Sequence, residues 1–206
     1  MVKRGKGKFF FSPPVELVLA NMSTVRQVQK VCYEGALETD IKHFIREFGK
    51  TVAEVLPKVA AWQVEPYADS IYWYPNRRWR VVKEDHIAFE VSFESLISPE
   101  NYDDRDDPWV GLYVPENWKH IKAFNNQCFA LTPKGFTHIH KSKSGTPEDF
   151  DPSYPIGTCV SLKKCAKGPA FDANRLQTEL LVLLRMLMAK DALIESLIAE
   201  LNSPKR

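Results

Sequence analysis

The sequence predicts an α+β fold, with N-terminal helices, a central mainly antiparallel sheet and a long C-terminal helix packed on the core. Three observations carry that expectation. Apolar residues recur at steps of three and four between Leu37 and Val59, the spacing of one helix face. From Trp62 to about Lys164 the period drops to two, and strand follows strand without an intervening helix, as in antiparallel sheets. After Asp172 an apolar-rich stretch returns to helical spacing as far as Asn202.

The chain of 206 residues is long enough to bury roughly 70% of its unfolded surface without a staple. A net charge of +2 argues against a protein that simply coats nucleic acid. Charge is nevertheless clustered: Lys3, Arg4, Lys6 and Lys8 are basic, as are Lys163, Lys164 and Lys167, whereas Asp103, Asp104, Asp106 and Asp107 are acidic. Cys32, Cys128, Cys159 and Cys165 form no C-x-x-C pair and read as free thiols of a reducing compartment. Phe9-Phe-Phe11 is too short for a signal-peptide core. Leu180 to Ala189, interrupted by Arg185, falls short of the ~20 residues of a membrane span. A cytoplasmic protein without membrane association is expected.

Taken in order, residues 1–11 read as a basic flexible tail and residues 12–206 as a single α+β domain. Its divisions are a helical part over 12–61, a sheet over 68–163 and a helix over 173–202. Ser12-Pro-Pro14 opens a short helix, since proline suits a first turn whose N–H has no partner. Ser23 caps a second helix. The stripe Leu37, Ile41, Phe44, Ile45, Phe48, Val52, Val55, Leu56 and Val59 makes an amphipathic helix of roughly six turns. Gly35 precedes it and Pro57 marks its end. Ile71–Tyr74 and Trp79–Val82 flank Pro75-Asn76 and are expected to pair as a hairpin. Ile87, Phe89, Val91 and Phe93 alternate with Ala88, Glu90 and Ser92 as a half-buried strand. Trp109–Val114, Cys128–Leu131, Phe136–His140 and Ile156–Leu162 are further strand candidates, and 141–155 reads as a long surface loop. Asp172 caps the last helix, which runs uninterrupted to Asn202.

The chemistry concentrates in Ser70–Arg80. Tyr72, Trp73 and Trp79 can stack on bases, and Arg77, Arg78 and Arg80 can grip phosphate. The same residues also suit a hairpin whose rings pair across strands beneath the arginines. On one strand Tyr72 and Tyr74 oppose Trp73, so the rings do not all share a face. With Lys3 and Arg4 adding charge, the first functional expectation is a small binding protein. It would contact nucleic acid or a nucleic-acid-handling complex. The second is a protein–protein regulator or inhibitor, contacting a partner or a second copy through Leu193, Ile194, Leu197, Ile198 and Leu201. Asp191 would fix the register of that seam.

A third reading is a metal-dependent phosphodiesterase using Asp103 to Asp107, Glu90 and His138 or His140. Here the spacing is poor: Glu90-Val-Ser92 lacks the lysine of Glu-x-Lys, and Glu116-Asn-Trp-Lys119 has one residue too many. His138 and His140 share a strand face, with Cys128, Cys159 and Cys165 as conceivable zinc partners, yet no paired spacing supports a metal. With nine glycines and no phosphate-binding loop, nucleophile elbow or dinucleotide turn, no cofactor and no catalytic residue is assigned.

Overall fold

Gly35 starts the first long helix from a left-handed conformation (φ +66°) that suits glycine. Thr39 Oγ1 donates to the Gly35 carbonyl at 2.9 Å. The helix, α1 (Ala36–Val55), comes from a computed structural model. That structure describes residues 35–56, 58–67, 69–83, 85–94, 108–138, 151–167 and 170–203, together with 23, 27 and 28. The chain divides into two compact units, Met1–Asp40 and Ile41–Arg206. In the first, residues 23, 27 and 28 are helical. The helix expected over 12–21 and the charges of Lys3 and Arg4 lie outside the described residues.

The second unit holds the sheet. Ile45, Phe48 and Val52 of α1 are buried, as the stripe requires. Phe48 meets Trp73 edge-to-face with centroids 6.2 Å apart, and Phe44 meets Phe93 at 5.7 Å. A 3-10 turn, Val59–Ala61, leads to β1 (Gln63–Pro66) and β2 (Ser70–Tyr74). After a second 3-10 turn, Asn76–Trp79, come β3 (Arg80–Val82), β4 (Asp85–His86), β5 (Ala88–Ser92) and β6 (Trp109–Tyr113). Helix α2 (Ile121–Cys128) precedes β7 (Thr137–His138) and β8 (Ile156–Cys159). The chain continues as α3 (Leu162–Cys165), β9 (Ala166–Lys167), β10 (Ala170–Phe171), α4 (Ala173–Met188) and α5 (Asp191–Asn202).

Six strands form one sheet in the order β1-β2-β5-β6-β8-β7, every pair antiparallel. Ile71, Trp73, Phe89, Val91, Val110, Leu112 and Ile156 share one face and are buried. Helix α4 packs against β5 and β6 on the core, and α5 against α2 and the Asn76–Trp79 turn. The α+β architecture is therefore the one the periodicities predict.

Several local expectations are corrected. β2 does not pair with β3. It lies between β1 and β5, while β3 pairs with β4 in a separate ribbon. The cause is Trp79, fully buried beside Trp62 and Phe89 at centroid distances of 5.9 and 5.0 Å. Bringing that indole into the core takes a helical turn after Pro75, which carries β3 away from β2. Cys128–Leu131 is not a strand but the end of α2 and a 3-10 turn. Phe124 and Cys128, one helical turn apart, are both buried. The C-terminal helix is broken at Ala189-Lys190. The break turns two apolar faces toward different neighbours: Leu176, Leu180, Leu184 and Leu187 on α4, and Ile194, Leu197 and Ile198 on α5. Asp191 lies at the start of α5, paired with Lys58 Nζ at 2.5 Å. The acidic run 103–107, His140 and residues 141–150 lie outside the described residues.

Candidate functional site

The residues singled out from the sequence do not converge on one surface. Trp73 and Trp79 are 1% and 0% exposed, so neither ring is available to stack on a base. Tyr72 projects from the opposite face of β2, half-buried. Arg78 and Arg80 are exposed, and Arg78 Nη1 pairs with Glu195 Oε2 at 3.2 Å. The side chains of Arg77 and His138 lie outside the described residues. On α5, Ile194, Leu197 and Ile198 belong to the core and Leu201 packs against it, leaving Leu193, 52% exposed, as the one open member of the expected contact face. Glu90 is buried. Burial also pushes the Cys128 thiol up to about 12, far from a ready metal ligand. Among the described residues no cluster of three or more histidine, cysteine or acidic side chains is placed to hold a metal.

The candidate site is the sheet face opposite the helices. One register row crosses all six strands there: Glu65, Tyr72, Glu90, Gly111, Gly157 and Thr137. Strand pleating sends these alternate residues away from the core. A cavity of about 890 Å³ opens at the Glu65 and Tyr72 end of the row, bounded by Tyr67, Tyr72, Tyr74, Tyr113 and Tyr154. The β3–β4 ribbon closes one side with Val82, Lys83, Asp85 and His86. The rings brace one another: Tyr67 against Tyr72 at 5.2 Å and Tyr72 against Tyr113 at 5.5 Å, both edge-to-face. His86 stacks on Tyr74 at 4.2 Å. Such geometry fixes the wall before any ligand arrives.

The tyrosine hydroxyls are directed to carboxylates. Tyr74 donates to Glu65 Oε1, Tyr67 to Glu65 Oε2 at 3.5 Å, and Tyr113 to Asp85 Oδ2 at 3.1 Å. Tyr72 hydrogen-bonds Glu90. Burial first, then the charge of the neighbouring carboxylates and the hydrogen bonds to them, raises the phenols of Tyr67, Tyr72, Tyr74 and Tyr113 above their ordinary range. Those hydroxyls therefore stay protonated as donors. Burial holds the His86 imidazole below its ordinary value, with Arg80 acting in the same sense against Glu65 and Asp85. The cavity consequently offers ring surface and carboxylate lone pairs.

Glu90 pairs with Tyr72 across β2 and β5, on the same face of the sheet. It is 2% exposed, and burial pushes its carboxyl up to about 7, against the lowering effect of the Tyr72 and Ser70 hydroxyls. Asp69 and Glu94 push it further in the same direction as burial. Its Oε2 has no hydrogen-bond partner among the described residues. Beside it, Gly111 and Gly157 face each other across β6 and β8 beneath the Trp109 indole. A Cβ on Gly111 would lie 2.0 Å from that ring and 2.5 Å from the Ile156 carbonyl oxygen. A Cβ on Gly157 would lie 2.3 Å from the ring. Only glycine lets the indole lie this close to the sheet. Trp109 then leans edge-to-face on Tyr154 at 5.1 Å.

Sequence reasoning did not find this face. Its signal was the second phase of each strand: Tyr72 and Tyr74, Ala88 and Glu90, Trp109 and Tyr113, where a solvated antiparallel face carries lysine and threonine. No family model, curated protein or solved structure matches the chain.

Proposed function

We propose that this chain is a binding protein whose tyrosine-walled cavity holds an organic cation. The pairing of the Tyr72, Tyr74 and Tyr113 hydroxyls with Glu90, Glu65 and Asp85 is the observation that carries this reading. A phenol that donates to a carboxylate keeps its ring electron-rich, and a cation over such a ring gains ~0.5–2 kcal/mol. Around the cavity Glu65 and Asp85 stand against Lys83, so the local field favours positive ligands. A volume of about 890 Å³ lies within the usual range for small-ligand sites.

The same charges disfavour phosphate, and the burial of Trp73 and Trp79 removes two of the stacking rings a nucleic-acid platform would use. The exposed Arg78 and Arg80 remain the surface on which such binding would depend.

Titration calorimetry with alkylammonium compounds and, separately, single-stranded oligonucleotides at low salt tests the proposal. Saturable binding of the ammonium compounds is expected, weakened about tenfold, or 1.4 kcal/mol, by Asp85→Asn. That variant keeps an acceptor for Tyr113 while removing the charge. Failure of every ammonium compound to bind, or oligonucleotide binding indifferent to Asp85→Asn and lost in Arg78→Ala/Arg80→Ala, would overturn it.

A further inference from the structure

The cavity does not end at Asp85. A second hollow of about 290 Å³ shares Asp85, Tyr113, Asn117 and Tyr154 with it and adds Glu116, Asp151 and Ser153. Two stations for positive charge therefore lie along one trough. The two hollows also share the Tyr113 and Tyr154 rings, 5.8 Å apart, which offer surface that methylenes can cover.

The far station is held in place by its backbone. Asn125 Nδ2 donates to the Pro152 carbonyl at 2.8 Å, and the Val114 N–H to the Ser153 carbonyl at 2.8 Å. The Ser153 N–H donates to Asp151 Oδ1 at 2.8 Å, and Asp151 lines the hollow. Ser153 is 2% exposed, yet its Oγ has no hydrogen-bond partner among the described residues. A buried hydroxyl without a partner costs free energy that a bound donor would recover.

We infer that the ligand is a linear polyamine, with one ammonium among the tyrosines near Glu65 and Asp85 and a second at Asp151, Glu116 and Ser153. The inference rests on the cation-binding reading above and deepens it. A compact cation such as tetramethylammonium reaches one station; a chain of methylenes with an ammonium at each end reaches both. Each ammonium then has a carboxylate, and each methylene run has a ring to cover.

The test is titration calorimetry of butylamine, 1,4-diaminobutane and spermidine into the full chain, with sodium chloride at matched ionic strength as the control. Spermidine is expected to bind at least about tenfold tighter than butylamine, equivalent to about 1.4 kcal/mol. Glu116→Gln/Asp151→Asn should abolish that gain and leave butylamine affinity unchanged, and Ser153→Ala should reduce the gain. Thermal denaturation of each variant checks that it is folded. Equal affinity for butylamine and spermidine, unaffected by the far-station substitutions, overturns the two-station inference and leaves the cation site standing. If none of the amines binds, the functional proposal fails and the inference with it. Binding of a lysine-rich peptide but of no free amine overturns the polyamine in favour of a protein partner.

Discussion

One face of the sheet is hydrocarbon and the other is phenol and carboxylate, although both come from the same strands one residue out of step. On the first, Trp73, Phe89, Val91 and Leu112 press against helices, and no polar atom is needed. On the second, Tyr72, Glu90 and Tyr113 stand between Ala88 and Gly111, and each hydroxyl finds an oxygen. The difference separates two tasks. Close packing of apolar residues makes the core face intolerant of change in volume. Hydrogen-bonded rings around open space make the other face intolerant of change in charge.

Substitution on the core face should give the largest effects. Trp79→Ala is expected to destabilise the protein by ~3–5 kcal/mol in urea unfolding. Trp79→Phe, which keeps a ring and removes an indole N–H with no described partner, should cost far less. Equal losses would mean that volume is not what this position supplies.

Next comes pH, which probes the second face through Glu90. The Glu90 carboxyl rises from 4.5 to about 7 on folding, so between those values the native state binds more protons than the unfolded chain. Stability contributed by this group is complete below pH 4.5 and is lost as pH rises to about 7. The loss is about 3 kcal/mol. Glu90→Gln, an isosteric neutral group, should flatten that part of the pH–stability curve. A wild-type curve without the fall, or one unchanged by the substitution, would break the assignment.

Gly157→Ala should cost ~1–3 kcal/mol by displacing the Trp109 indole, and Trp109→Ala in the same chain should recover part of it. Gly111→Ala should not be rescued in this way, because its Cβ also meets the Ile156 carbonyl oxygen at 2.5 Å. A double-mutant cycle reads the contrast. Smallest of all, Lys58→Ala removes an ion pair whose lysine is 75% exposed, and its cost should stay below ~1 kcal/mol.

Periodicity exposed the core face and hid the other. The alternation of Phe89, Val91 and Phe93 and, in the stripe of α1, Ile45, Phe48 and Val52 identify residues that end up buried, whereas Val55, expected in the same stripe, is 44% exposed because it falls at the end of the helix. Hydrophobic period says which residues leave water. It does not say which strands become neighbours. Tyr72 meets Glu90 only because β5, rather than β3, pairs with β2, and that choice depends on where Trp79 is buried. The break at Ala189-Lys190 was equally hidden, since no glycine or proline marks it. There, the need to bury α4 on strands and α5 on α2 overrides a helix-favouring sequence. The sequence offers Tyr72 as a stacking ring and Glu90 as a carboxylate, but only the β2–β5 pairing puts them side by side on one face.

Trp109 has a practical consequence for detection. The chain contains five tryptophans, and Trp62, Trp73, Trp79 and Trp118 are all in the core. Trp109 is half-buried, lying over the two glycines with its edge toward Tyr154 at the margin of the trough. Its emission is expected to be the red-shifted, acrylamide-accessible component of the intrinsic fluorescence. A molecule entering beside Tyr154 will alter that component and leave the blue emission of the other four unchanged. The protein thus carries its own optical gauge of occupancy, readable without a label.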